Sequence, residues 1–69
     1  MAGSVVKVIE VSSASNKGFD DAVQSGLKKV AKTLKGIQGA WVNEMKVLTN
    51  GEGKTTEWRV HLKISFLVQ

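Results

Sequence analysis

Residues 58–68 read Trp-Arg-Val-His-Leu-Lys-Ile-Ser-Phe-Leu-Val. Apolar and polar side chains alternate along this stretch, which is the period of a β-strand whose side chains point to two opposite faces. The apolar positions are Trp58, Val60, Leu62, Ile64, Phe66 and Val68. At about 3.3 Å per residue, a strand of this length crosses a small domain. We therefore predict a long strand in the middle of a sheet, with one face in the core.

The second face of this strand carries a mostly basic row of side chains. The row consists of Arg59, His61, Lys63 and Ser65. Such a row has the same sequence pattern whether it contacts a ligand or plain water. The sequence leaves that choice open.

The size and composition of the chain limit how it is stabilised. It has 69 residues, no cysteine and one histidine. A domain of this size buries only about 60% of the surface that its unfolded chain exposes, so its core alone is marginal. Small folds add disulfides, a metal or further subunits, and a cysteine-free chain with His61 alone lacks the residues for the first two. We predict one domain over residues 1–69 that assembles with copies of itself.

The sequence shows no feature of a secreted or membrane protein. No signal peptide pattern is present, and no segment approaches the ~20 apolar residues of a membrane span. The lack of cysteine is compatible with a reducing compartment. We expect a soluble, cytoplasmic protein without a membrane partner, whose net charge of +4 is compatible with an anionic ligand.

The N-terminal part predicts a strand that is covered on both faces. Residues 5–11, Val-Val-Lys-Val-Ile-Glu-Val, are β-branched and carry apolar side chains on both parities. One helix covers only one face of a three-stranded sheet, so the second apolar face points to a partner subunit. Residues 12–17 are rich in turn-forming side chains and predict a polar linker.

The middle of the chain predicts one amphipathic helix of about five turns. From Phe19 to Ile37, apolar residues recur at three- and four-residue steps, and we expect Gly36 and Gly39 to end the helix. The opposite side carries Lys28, Lys29, Lys32 and Lys35. These lysines complement the helix dipole, and no aromatic residue lies between them. We expect a solvated face and no nucleic acid partner.

The rest of the chain predicts a hairpin. Residues 40–48 form the second strand, in which Trp41, Met45 and Val47 share one parity. Residues 50–54, Asn-Gly-Glu-Gly-Lys, form the loop that leads into the long third strand. The fold class is therefore α+β, with a three-stranded antiparallel sheet wrapped on one helix in the order β-α-β-β.

Several segments in this order resemble a known family. They are residues 6–11, the polar turn through Ser15, residues 19–23 and 31–35 in the helix, and residues 60–66. Together they are similar to the dodecins, small β-α-β-β proteins that assemble as hollow dodecamers and bind flavins. The resemblance implies a homododecamer that binds riboflavin or FMN.

The resemblance also implies candidate cofactor-binding residues. Flavin-binding dodecins have a tryptophan just after the helix that stacks on the isoalloxazine ring. A gap-free alignment puts Gly39 at that position, while an alignment with gaps makes Trp41 the equivalent residue. The glutamine that hydrogen-bonds the ring is Arg59 here, and Lys46 matches a basic residue that faces the phosphate in some members. We predict Gly39, Trp41, Lys46 and Arg59 as the ligand site.

Each aromatic or basic candidate also has a structural interpretation. Trp41 is either a platform for a ring or part of a subunit interface, where tryptophan is enriched. Trp58 is expected to pack against the helix. His61 is expected to be a hydrogen-bonded interface residue. Arg59 and Lys63 are expected to pair with carboxylates of neighbouring subunits, namely Glu10, Glu44 or Glu57.

Two functions follow, and neither is catalytic. No nucleophile–base arrangement or phosphate-binding glycine loop is visible in the sequence, so we do not expect an enzyme. The first function is a storage protein for a flavin or a similar planar anionic cofactor. The second is a structural shell that has lost flavin binding, as in dodecins without the aromatic residue, some of which are described as binding calcium. A calcium site would draw on Glu44, Glu52 and Glu57 of several subunits.

Overall fold

The computed structural model describes residues 5–68 and has the predicted order of elements. Strand β1 spans Val6–Ser15 and helix α1 spans Phe19–Ala31. Strands β2 and β3 span Ile37–Thr49 and Thr55–Leu67. The β-α-β-β prediction is therefore confirmed.

The long third strand lies in the centre of the sheet, as the sequence predicts. The spatial order is β1-β3-β2, and β3 pairs antiparallel with both neighbours. Both rows of backbone groups of β3 are thus available for hydrogen bonds within the sheet. Its two neighbours are edge strands, each with one free side.

The core forms between α1 and one face of β3. Val60, Leu62 and Ile64 are buried on this face, together with Ala22 of the helix. Their half-buried neighbours are Ile9, Val11, Phe19, Val23, Leu27, Val30 and Ile37. The core face read from the alternation of β3 is therefore correct in its central part.

Strand β1 is longer than predicted, and the predicted linker at residues 12–17 is wrong in its first part. The strand continues to Ser15, which pairs with Trp58. Two serine hydroxyls are used by the helix: Ser13 Oγ donates to the Ala22 carbonyl at 2.6 Å, and Ser15 Oγ donates to Asp21 Oδ2 at 2.6 Å. Serines that read as turn formers are kept in a strand because α1 satisfies their hydroxyl groups.

Helix α1 is shorter than the predicted five turns. It ends at Ala31, after which the backbone N–H groups of Lys32 and Thr33 donate to carbonyls three residues back. Such bonds tighten the last turn of a helix. The prediction that Gly36 and Gly39 end the helix is therefore wrong. Gly36 has a φ angle of 80° in the turn before β2, and Gly39 lies within β2.

Strand β2 begins earlier than predicted and contains a β-bulge. Its pairing with β3 shifts between Val42 and Glu44, so that Asn43 is an extra residue. One extra residue exchanges the two faces for the rest of a strand. Trp41 therefore lies opposite Lys63, whereas Met45 lies opposite Val60 on the helix side. The prediction that Trp41 and Met45 share a face is wrong for this reason.

Apolar side chains remain uncovered on both sides of the sheet. Helix α1 packs mainly on β1 and β3, so Val42, Met45 and Val47 of β2 are exposed on the helix side, Met45 to 57%. On the opposite side, which we call the open face, Val6 and Val8 are exposed. This agrees with the inference that β1 is apolar on both faces.

The helix approaches β1 closely at Gly26. A Cβ atom at this position would lie 2.9 Å from Ser13 Cβ and 3.3 Å from Leu62 Cδ1. Carbon atoms pack at about 3.5–4.0 Å. Only glycine fits here unless the helix moves away from the sheet.

We expect the substitution Gly26→Val to lower the free energy of unfolding by about 2–3 kcal/mol, because the added side chain overpacks the contact between helix and strand. Urea unfolding followed by circular dichroism measures this change. The matched control is Gly51→Val in the hairpin loop, where an added Cβ meets nothing within 4 Å. An unfolding free energy of Gly26→Val equal to that of the control would contradict the packing described here.

Candidate ligand-binding site on the open face

The open face is built from rungs of side chains that cross the three strands. Directly opposed residues of antiparallel strands point to the same side of the sheet. In the order β1, β3, β2, the rungs are Val8–Ser65–Gly39, Glu10–Lys63–Trp41, Ser12–His61–Glu44 and Ala14–Arg59–Lys46. The alternation of β3 thus brings polar side chains from all three strands together.

All four residues predicted as the ligand site lie on this face, but in two separate groups. Gly39 and Trp41 are on adjacent rungs at one end, and Lys46 and Arg59 share a rung at the other. The rung of Trp41 and the rung of Lys46 are four residues apart along β3, which corresponds to about 13 Å. A ligand that contacts both groups must be elongated.

The first group forms a shallow depression beside an exposed indole ring. Trp41 is 59% exposed and, with Val8 and Lys63, lines a depression of about 510 Å³. At Gly39 an added Cβ would meet only Ser65 Oγ, at 4.0 Å, and this hydroxyl donates to the Gly39 carbonyl at 3.1 Å. The absence of a side chain at Gly39 leaves the sheet surface beside Trp41 low and accessible.

The second group is cationic, but its two cations differ in their partners. Lys46 and Arg59 line a depression of about 400 Å³. Arg59 Nε donates to Glu57 Oε2 on the same strand, so a carboxylate of its own chain already balances this guanidinium. Among residues 5–68, no carboxylate lies within 4.0 Å of the Lys46 ammonium. Lys46 is therefore the cation of this rung that is available to an anion.

His61 links β1 to β3 between the two groups. Its Nε2 donates to Glu10 Oε1 at 2.7 Å, and Ser12 Oγ lies 3.2 Å from Nδ1. The hydrogen bond from His61 holds the pKa of Glu10 below its usual range, and the positive charge of Lys63 lowers that pKa further. His61 is hydrogen-bonded, as predicted, and its location in a subunit interface stays a prediction.

The described residues do not assemble a metal site within one chain. No group of three or more His, Asp or Glu side chains in residues 5–68 is close enough to hold a metal ion.

Membrane insertion by a helix is not supported by the described part of the chain. None of its helices is both long enough and apolar enough to cross a bilayer.

Comparison with known proteins places this chain in a family. The sequence model of the family Dodecin matches residues 5–69. The chain belongs to the dodecin family. A dodecin of Thermus thermophilus is 31% identical over 67 residues, which cover 97% of this chain and 96% of the relative. The resemblance noted in the sequence is therefore confirmed over nearly the whole chain.

Solved dodecin structures share the fold closely. A mutant of the T. thermophilus dodecin superposes with a TM-score of 0.89 at 28% identity, covering 97% of this chain and 98% of that one. The Streptomyces coelicolor dodecin gives 0.91 at 26% identity, with 100% and 97% covered. The calcium dodecin of Mycobacterium tuberculosis, described as calcium chelating, gives 0.80 at 25% identity, with 94% and 91% covered. Both flanking strands and the helix thus follow the dodecin arrangement.

Sequence reasoning missed some residues of this face. Lys63 was predicted on this face of β3 but not as part of the ligand site. Neither Val8 nor Glu10 was predicted to lie opposite Ser65 and Lys63 within the same chain. The alternation of β3 contained the signal for Lys63. The positions of Val8 and Glu10 depend on the register between β1 and β3, which joins residues more than fifty positions apart.

We expect the carboxyl group of Glu10 to titrate below the usual range of glutamate in the folded dodecin, because its charged form accepts a hydrogen bond from His61. A pH titration of the Glu10 side-chain ¹³C resonance measures this pKa. In His61→Leu the bond is lost and the pKa of Glu10 should rise towards its ordinary value of 4.5. In His61→Gln, which retains an N–H donor, the rise should be smaller.

The stabilisation from this bond is fully present above the ordinary pKa of glutamate, and it decreases as the pH falls through the lowered pKa of the folded state. Over that pH interval, acid should therefore destabilise the wild-type protein more than it destabilises the Glu10→Gln variant. Equal acid sensitivity of the two proteins, or an unchanged Glu10 titration in His61→Leu, would show that the bond does not form in solution.

Proposed function

We propose that the chain is the subunit of a cytoplasmic homododecamer that stores a flavin, riboflavin or FMN, on its open face without catalysing a reaction. The observation that carries the proposal is Trp41, an indole ring that is more than half exposed and lies next to the side-chain-free surface at Gly39. Membership of the dodecin family supports a small binding protein of this kind.

The ring of the ligand would lie over Gly39 and Ser65 with its edge against Trp41. An exposed tryptophan of this size is an apolar surface that a planar ring covers well, and an aromatic pair adds about 0.5–1.5 kcal/mol beyond area burial. Because Gly39 has no side chain, the ring can lie close to the backbone. Trp41 then supplies, from a neighbouring rung, an aromatic contact in place of the stacking side chain that is absent at Gly39.

The phosphate of FMN would lie near Lys46. The separation of about 13 Å between the Trp41 and Lys46 rungs suits a ligand whose ring and phosphate are joined by a flexible chain. Lys46 has no carboxylate within 4.0 Å in the described part of the chain, whereas Arg59 is paired with Glu57. We therefore assign the larger electrostatic contribution to Lys46 and a smaller one to Arg59.

Self-assembly is supported by the shape and surface of the single chain. Its radius of gyration is 14.5 Å, compared with about 11 Å expected for a compact domain of this length. Val42, Met45 and Val47 form an exposed apolar group on the helix side of β2. Contiguous apolar surface of this kind marks an interaction site in soluble proteins. Copies of the same chain are the partner that the dodecin family implies.

The alternative function is a dodecin shell that has lost flavin and binds calcium or no small ligand. The observation that favours it is Gly39, because the gap-free alignment puts glycine at the position of the stacking tryptophan. The M. tuberculosis relative described as a calcium dodecin is a precedent for a different ligand in this family. A calcium site here would be shared between subunits.

We expect the purified, dialysed protein to quench the fluorescence of dilute riboflavin and FMN when it is titrated in, with the mass of an assembly measured on the same sample by light scattering. Trp41→Ala should lower the affinity for both ligands about tenfold, because the flavin ring loses its aromatic contact. Lys46→Gln should lower the affinity for FMN more than the affinity for riboflavin, because only FMN carries the phosphate. An intact assembly that quenches the fluorescence of neither ligand would favour the alternative function, a shell that does not bind flavin.

The substitution Gly39→Trp separates the two functions further. If the wild-type assembly does not bind flavin, we expect this variant to gain quenching of riboflavin, because an aromatic side chain returns to the open face opposite Ser65. Gly39→Leu is the matched control, which adds bulk without an aromatic ring. Absence of any gain from an assembled Gly39→Trp would show that the site has changed beyond this residue.

A further inference from the structure

A serine hydroxyl, an imidazole ring and a carboxylate form a chain of hydrogen bonds on the open face. Ser12 Oγ lies 3.2 Å from His61 Nδ1, and His61 Nε2 lies 2.7 Å from Glu10 Oε1. Ser12 and His61 are directly opposite each other across the β1–β3 pair, and Glu10 is two residues before Ser12 on the same face of β1. Hydroxyl, base and carboxylate in this order are the arrangement that activates serine nucleophiles in enzymes.

The hydrogen bond to Glu10 decides which ring nitrogen of His61 can accept a proton. A carboxylate has no proton to donate, so Nε2 carries the ring proton and donates it to Glu10 Oε1. In the neutral ring, Nδ1 then has the free lone pair and accepts the hydroxyl proton of Ser12. In Ser-His-Asp enzymes the two nitrogens have the opposite assignment, and either assignment leaves one nitrogen free to act as a base. Glu10 is therefore a positioning residue.

The neighbouring serines of β1 have other partners, because α1 uses their hydroxyl groups. Ser13 Oγ donates to the Ala22 carbonyl and Ser15 Oγ donates to Asp21 Oδ2, each at 2.6 Å. Ser15 is also buried, whereas Ser12 is exposed. Ser12 lines the depression of about 400 Å³ on the open face, so a small molecule can reach its hydroxyl group.

We propose that Ser12 is an acylation site, at which its hydroxyl group accepts an acyl group from an activated ester with His61 as the general base. Ser12 Oγ attacks the carbonyl carbon of the ester, and its proton moves to His61 Nδ1. The bond between Oγ and this carbon forms as the bond from the carbon to the leaving oxygen breaks. The leaving group departs as an anion, and His61 passes the proton to water. The reaction modifies each chain once and does not depend on a bound flavin.

The class of ester follows from the chemistry of the site. General base catalysis by a positioned histidine contributes about 10²–10⁴-fold. An ester whose leaving group is a stable anion, such as p-nitrophenolate, needs no proton donor for that group. The depression is lined by Lys46 and Arg59 and also by Glu44 and Glu57, so its charges are balanced in number. A neutral aryl ester is therefore the suitable probe.

The test is incubation of the purified protein with p-nitrophenyl acetate, followed by mass spectrometry of its tryptic peptides. Trypsin releases residues 8–17 as one peptide, which contains Ser12, Ser13 and Ser15. The three hydroxyl groups are thus compared within one peptide. We expect Ser12 to be acetylated at least about tenfold faster than either neighbour, because only its hydroxyl group donates to an imidazole nitrogen.

Variants of the two partners of Ser12 separate the base from the positioning residue. His61→Gln should lower the acetylation rate at Ser12 about a hundredfold, because glutamine retains an N–H donor for Glu10 but is not a base. Glu10→Ala should lower this rate about tenfold, because the ring loses the partner that fixes its tautomer. Glu10→Gln should restore most of the rate, because its side-chain carbonyl still accepts a hydrogen bond from Nε2. Light scattering checks the mass of each variant in solution.

The outcomes separate this inference from the proposed function. Equal acetylation of the three serines would overturn the inference and leave flavin storage standing. An unchanged rate at Ser12 in a His61→Gln protein of wild-type mass would do the same. Because the probe contains no flavin, a protein that binds no flavin but is acetylated selectively at Ser12 would overturn flavin storage and support the acylation site.

Discussion

Strand β3 presents Val60, Leu62 and Ile64 to helix α1 and, through the same alternation, directs its polar residues to the opposite side of the sheet. This one strand therefore supplies the buried centre of the core and the middle of the candidate binding face. Its position between β1 and β2 also fixes which side chains of those strands lie next to each other. A change that inverted β3 would remove the core and the open face at the same time.

The features that depend on short-range sequence pattern could be predicted, and those that depend on tertiary contacts could not. Strict alternation identified β3, and the glycine-rich loop identified the hairpin. The end of β1 was missed because Ser13 and Ser15 read as turn residues until α1 is in place to accept their hydrogen bonds. The helix end was missed because the apolar period continues into Leu34 and Ile37, although the backbone has already left the helix.

The candidate site shows the same division. The family resemblance and the pattern of β3 predicted a ligand site at Gly39, Trp41, Lys46 and Arg59. All four residues lie on the open face. Which cations are available could not be predicted, because pairing depends on partners such as Glu57 and Glu10 and on the register of β1. The sequence alone offers each carboxylate several basic partners, and strand geometry assigns it to one of them.

The bulge at Asn43 also affects how this chain is compared with its relatives. Residues before it and after it reach the same face of the sheet at opposite parity, since Trp41 and Lys46 are five positions apart and both lie on the open face. A relative without the extra residue would carry equivalent side chains at an even separation. Evolutionary equivalence along β2 is therefore better assigned by the face on which a residue lies than by its count from the helix.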